Sequence, residues 1–123
     1  MTDRVTLLAL VERVVALKGP DRNVDRAIDP IVGIRVVDEG HPLGTCYYDE
    51  NHHGVLLPRF SASLDAALAL VPDGCNFEVT NTGYRPGATV CGQGVMGIHE
   101  GAYASTPALA LCAAALRARA ELE

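Results

Sequence analysis

The stretch from Ser105 to Arg119 constrains the fold most, because it carries a complete set of helix signals. Ser105 or Thr106 can cap the first free amides with a hydroxyl, and Pro107 falls in the first turn, where its missing amide has no bond to lose. Leu109, Cys112 and Leu116 then recur at helical spacing and alanines fill most of the rest. Arg117 and Arg119 stand toward the carbonyl end, which favours cations. An apolar stripe of this kind stays in water only at a penalty, so the helix opening at Thr106-Pro107 requires other elements to cover it.

The rest of the chain supplies them. Leu7, Leu8, Val11, Val14 and Val15 mark one face of a first helix, capped by Asp3 and stopped by Gly19-Pro20. A second helix starts at Asp21 with Val24 and Ile28 on one side; Pro30, which lacks an amide donor, is expected to end it near Ala27 to Asp29. Ile34 to Val37 reads as a short strand. A third helix begins after Ser61 or Ser63, buries Leu64, Leu68 and Val71, and stops at Pro72-Asp73-Gly74. Phe77 and Val79 alternate with Glu78 and Thr80, and Asn81-Thr82-Gly83 marks a turn before Ala88 to Cys91, which predicts an antiparallel pair. The expected architecture is α+β: a small antiparallel sheet sandwiched by about four helices, in one domain over residues 1–123. A chain of 123 residues can bury roughly two thirds of its unfolded surface.

Charge narrows the function classes. With 15 Asp and Glu against 10 Lys and Arg the net charge is −5, which opposes binding to a nucleic-acid polymer but leaves room for one small anion held by a few arginines. The start of the chain, Met1-Thr2-Asp3-Arg4-Val5, is not that of a secretion signal, and the apolar runs at Leu64 to Val71 and Ala108 to Leu116 are too short to span a bilayer. No membrane association and a cytoplasmic location are expected. Cys46, Cys75, Cys91 and Cys112 form no CxxC pair, so no zinc ribbon is written here, and Cys112 reads as a small buried hydrophobe.

The unusual chemistry lies between Gly40 and Arg59, which reads as a long loop or loose hairpin carrying His41, Tyr47, Tyr48, Asp49, His52 and His53. Adjacent histidines on extended chain point in opposite directions, so this spacing does not write a metal site, and no metal or cofactor is expected. Gly92, Gly94 and Gly97 match a dinucleotide fingerprint only as a string, because no helix follows until Thr106. Cys91 and His99 are separated by that glycine stretch, and no catalytic constellation is expected. Arg85, with Tyr84, follows the turn at Asn81-Thr82-Gly83, and Arg59 precedes the third helix. A guanidinium at a loop tip can fork onto a phosphate, and a tyrosine can stack on a base. The candidate ligand-binding residues are therefore Tyr47, His53, Arg59, Tyr84, Arg85 and His99.

Three stretches also carry a resemblance. Phe60-Ser61-Ala62-Ser63 running on to Pro72-Asp73-Gly74, then Thr106-Pro107 through Arg119, and an opening from Leu10-Val11 through Gly19-Pro20-Asp21-Arg22 to Val24-Asp25 together resemble small phage and prophage proteins of the α/β/α sandwich domain family. The resemblance implies a phage or prophage origin and helices packed on both sides of a small sheet. It supplies no catalytic residues, and the chain departs from the family pattern between Cys46 and Leu57. The function expected from these readings is that of a small binding protein without catalytic activity. It would be a homo-oligomer that counters a host defence by sequestering a nucleotide signal or occluding a host defence protein. The alternatives are a structural or virion-associated phage protein, and a metal- or His-dependent hydrolase.

Overall fold

The computed structural model of the protein describes residues 3–32, 36–38, 42, 46–48, 54–80, 85–92 and 99–122. They form helices α1 (Arg4–Ala16), α2 (Arg22–Val32), α3 (Leu64–Leu68) and α4 (Pro107–Glu121), and strands β1 (Val36–Asp38), β2 (Cys46–Tyr48), β3 (Gly54–Val55), β4 (Cys75–Thr80), β5 (Gly87–Gly92) and β6 (His99–Tyr103). This is an α+β fold with helices packed on a small antiparallel sheet, as the sequence implies. The strands pair as two antiparallel sheets, in the orders β1-β2-β3 and β4-β5-β6.

The caps form as their chemistry predicts. The Asp3 carboxylate accepts from the Thr6 amide at 2.8 Å, the Ser63 hydroxyl from Ala66 at 3.3 Å and the Thr106 hydroxyl from Leu109 at 3.2 Å. α4, however, is not amphipathic in its surroundings. Ala108 to Leu116 are all buried, as are Ala118 and Ala120, because the helix lies between the β4-β5-β6 sheet and the layer formed by α1 and α3. Its alanines are thus contact residues: without side chains beyond Cβ they let neighbouring backbones approach closely.

Three helix readings are corrected. α2 runs through Pro30 to Val32 instead of ending by Asp29. The missing amide at Pro30 deletes a single bond, to Arg26, near the helix end, while buried Val24, Asp25, Ile28 and Asp29 anchor the helix along its length. In α1 the buried face is Leu7, Leu10, Val11 and Val14, whereas Leu8 is partly exposed. In and after α3 the buried residues are Ala67 and Leu70; Leu64 is exposed. The helix gives way at Ala69, and Arg119 of α4 donates from Nε to the Leu70 carbonyl at 2.6 Å, so the turn is held by a cation from another element. Gly74, at φ +83°, then takes the left-handed conformation that leads into β4.

Ser61 does not cap α3. It is buried, and its hydroxyl accepts from the Asp21 amide at 2.9 Å, beside the Asp21 carboxylate that caps α2 through Asn23 at 2.8 Å. The Ser61 amide donates to the fully buried Asp25 carboxylate at 2.8 Å, whose other oxygen accepts from Arg22 at 2.9 Å. Arg22 also donates to the carbonyls of Leu57 at 3.0 Å and Pro58 at 3.2 Å. One ion pair thus fastens the segment between β3 and α3 onto α2.

Cys112 lies against this network, with its thiol donating to the Phe60 carbonyl at 3.1 Å. Burial first, and the charge of Asp25 second, push the thiol up to about 12 from an ordinary 9.0. It is therefore protonated at neutral pH and a poor nucleophile. Iodoacetamide is expected to modify the half-buried Cys75 and Cys91 well before Cys112, as peptide mass spectrometry would record. Because the folded state holds this proton more tightly than the unfolded chain, the stabilisation is complete below pH 9.0 and is lost as pH rises toward about 12.

Candidate functional site

The β4-β5-β6 sheet positions the candidate site. Glu78 pairs with Thr89 and Thr80 with Gly87, while Thr89 pairs with Gly101 and Gly87 with Tyr103. Directly opposed residues share a face, so Thr80, Thr89, Gly101 and Tyr103 stand together on the face away from α4. The Ala104 amide donates to the Pro86 carbonyl at 3.2 Å, which fixes the alternation along β6. Gly101 then turns its carbonyl away from β5, toward the side of β6 that pairs with no strand among the described residues. There it accepts from Arg117 of α4 at 2.6 Å. The end of α1 is brought in by Ser105, which donates to the Leu17 carbonyl at 2.8 Å.

These connections enclose a cleft of about 640 Å³ at the β6 edge, lined by Thr80, Arg85, Thr89, Tyr103 and Arg117, with Val15 of α1 as an apolar wall. Two guanidiniums and two threonine hydroxyls share the cleft with the ring of Tyr103. Arg117 spends one N–H on Gly101 and keeps other donors, and Arg85 is exposed, with no hydrogen-bond or ion-pair partner among the described residues. Such a lining offers forked donors to an oxyanion and a ring face to a planar group.

Of the residues proposed from sequence, Arg85 lies in this cleft. Arg59 lies in another, of about 380 Å³, with Arg22, Leu56, Pro58, Ser63 and Ala66, so the two arginines do not converge. Tyr47 sits on β2, opposite Val37 and Val55, and the antiparallel pairing of β2 with β3 is the hairpin alternative of the sequence reading. His99 sits on β6 opposite Cys91, so register brings together two positions that the glycine stretch separates in sequence. His53 and Tyr84 lie outside the described residues, as do His41, Asp49, His52 and the turn at Asn81-Thr82-Gly83. Among the described residues no three metal-ligating side chains gather.

Sequence reasoning missed Thr80, Thr89, Tyr103 and Arg117 as cleft residues. The available signal was Tyr103, an aromatic residue between the glycine-dense stretch ending at Gly101 and the Thr106 cap of α4. Compared with known proteins, the chain matches no family model, and neither curated proteins nor solved structures give a match. No described helix is long and apolar enough to cross a membrane.

Proposed function

We propose that this chain is a binding protein that holds a small phosphate-bearing ligand, a nucleotide in kind, in the cleft at the β6 edge, and that it acts by sequestration without turnover. The observation that carries the reading is the gathering of Arg85 and Arg117 with the Thr80 and Thr89 hydroxyls in one cleft of an otherwise acidic chain. A single phosphate can take a guanidinium fork and hydroxyl donors together, whereas a polymer would meet the surrounding negative charge. In a phage or prophage setting, a protein of this kind would blunt a host defence in the host cytoplasm by withholding its nucleotide signal.

The test is ligand-dependent stability. ADP, ADP-ribose and cyclic dinucleotides are to be screened by thermal unfolding, since a ligand at about 100 times its Kd adds about 2.7 kcal/mol to the folded state. A protein of this size should then melt roughly 10 °C higher. Arg85→Ala is expected to weaken the best ligand roughly tenfold or more, as loss of a charge-assisted bond does, while changing the stability of the free protein by less than about 0.5 kcal/mol. Absence of any shift across the panel would remove the reading.

A second reading, a self-associating structural protein of a phage, is favoured by Phe77, which remains 49% exposed on the edge strand β4. A monomer at all concentrations by light scattering would remove that one.

A further inference from the structure

Gly87 and Tyr103 face each other across β5 and β6. A Cβ built on Gly87 would stand 3.0 Å from Cε1 and 3.1 Å from Cδ1 of Tyr103, and 3.3 Å from Oγ1 of Thr80. The tyrosine ring therefore rests on bare backbone, in space that any other residue at position 87 would fill. Yet Tyr103 remains 66% exposed, so its contact with Gly87 leaves most of the side chain open, and it lines the cleft that holds Arg85 and Arg117. A large ring supported from below and open above costs exposure of apolar surface, and burying that surface under a second planar ring removes this penalty.

From this we infer that Tyr103 is the specificity-determining residue of the cleft, a stacking platform that selects phosphates carrying a planar heteroaromatic ring, and that Gly87 is the positioning residue that lets the platform lie down. The inference rests on the anion-binding reading above and adds the ligand's second half: the arginines take the phosphate, and Tyr103 takes the ring. A ligand without a ring binds through the arginines and the threonine hydroxyls, with no contribution from Tyr103.

The experiment compares ADP with inorganic pyrophosphate by calorimetry on the full chain, with tyrosine fluorescence as an independent readout, since the chain has no Trp and four Tyr. ADP should bind the wild type more tightly than pyrophosphate and quench part of the tyrosine emission. Tyr103→Leu should weaken ADP about 5- to 150-fold, abolish the quenching and leave pyrophosphate unchanged. Tyr103→Phe should keep the preference for ADP. Gly87→Ala, which lifts the ring without removing it and also crowds the Thr80 hydroxyl, should lower the ratio of ADP to pyrophosphate affinity; should that variant fold poorly, the Tyr103 pair decides alone. Equal binding of ADP and pyrophosphate by the wild type, or an equal loss of both in Tyr103→Leu, would overturn the platform while leaving the anion site standing. Failure of both ligands to bind would overturn the anion site and the platform with it.

Discussion

Asp25→Ala is expected to lower the stability of the protein by roughly 3 kcal/mol, seen as a fall of about 10 °C in Tm. The carboxylate is fully buried and receives two donors that have no other described acceptor of comparable strength: the Ser61 amide at 2.8 Å and the Arg22 guanidinium at 2.9 Å. Removing it strands a buried amide, which alone costs about 1–3 kcal/mol, and withdraws the counter-charge from Arg22. The Arg22 side chain is 40% exposed, so part of its charge is rehydrated and the loss stays below that of a wholly buried pair. Arg22→Ala should destabilise too, by leaving a buried carboxylate with fewer donors. The double variant should lose less than the sum of the two, because both single changes break the same bond. Ser61→Ala keeps the amide and should lose only about 1 kcal/mol. An Asp25→Ala protein within 0.5 kcal/mol of the wild type would mean that the strap from Leu57 to Ser61 is not held through this pair.

The network also separates what the residues announce from what they conceal. Local signals were legible: Asp3 and Thr106 as caps, Pro107 in a first turn, and the alternation of β4 against β5 each follow from a few neighbouring residues. β6 was not legible, since His99-Glu100-Gly101-Ala102-Tyr103 has no β-branched residue, and its extended form comes from pairing with β5. Ser61 reads as a helix cap by its position, and only the fold shows that its hydroxyl and amide serve α2 across a sequence gap of 40 and 36 residues. α2 likewise passes Pro30 because tertiary burial outweighs one lost hydrogen bond.

The candidate site shows the same division. Arg85 stood out because it follows a turn. Arg117 reads as a cation at a helix end, and its reach to Gly101 depends on how α4 crosses the sheet. Tyr103 acquires meaning only through its register with Gly87, and Arg59 does not meet Arg85 because the segments leading into α3 and β5 carry them to different clefts. Electrostatics therefore suggests the kind of ligand from sequence, while strand register decides which side chains could meet it.

Leu116→Ala is expected to destabilise the protein by about 2–5 kcal/mol, measured as a lower denaturant midpoint at unchanged m-value. Leu116 is fully buried, and so are Ala113, Ala115, Ala118 and Ala120 nearby on α4, which cannot extend to fill the space that a leucine leaves. The cavity should therefore persist, placing the loss toward the upper part of that range. The converse change tests whether α4 is enclosed on every side. On an ordinary amphipathic helix one flank is open, and a leucine added there is tolerated. Ala114 has no exposure, and α4 is packed against α1, α3 and the sheet at once. Ala114→Leu should thus cost about 1–3 kcal/mol through overpacking, although leucine and alanine are both good helix formers. A neutral Ala114→Leu would reveal an open flank on α4 and exclude the layer order of sheet, α4, and α1 with α3.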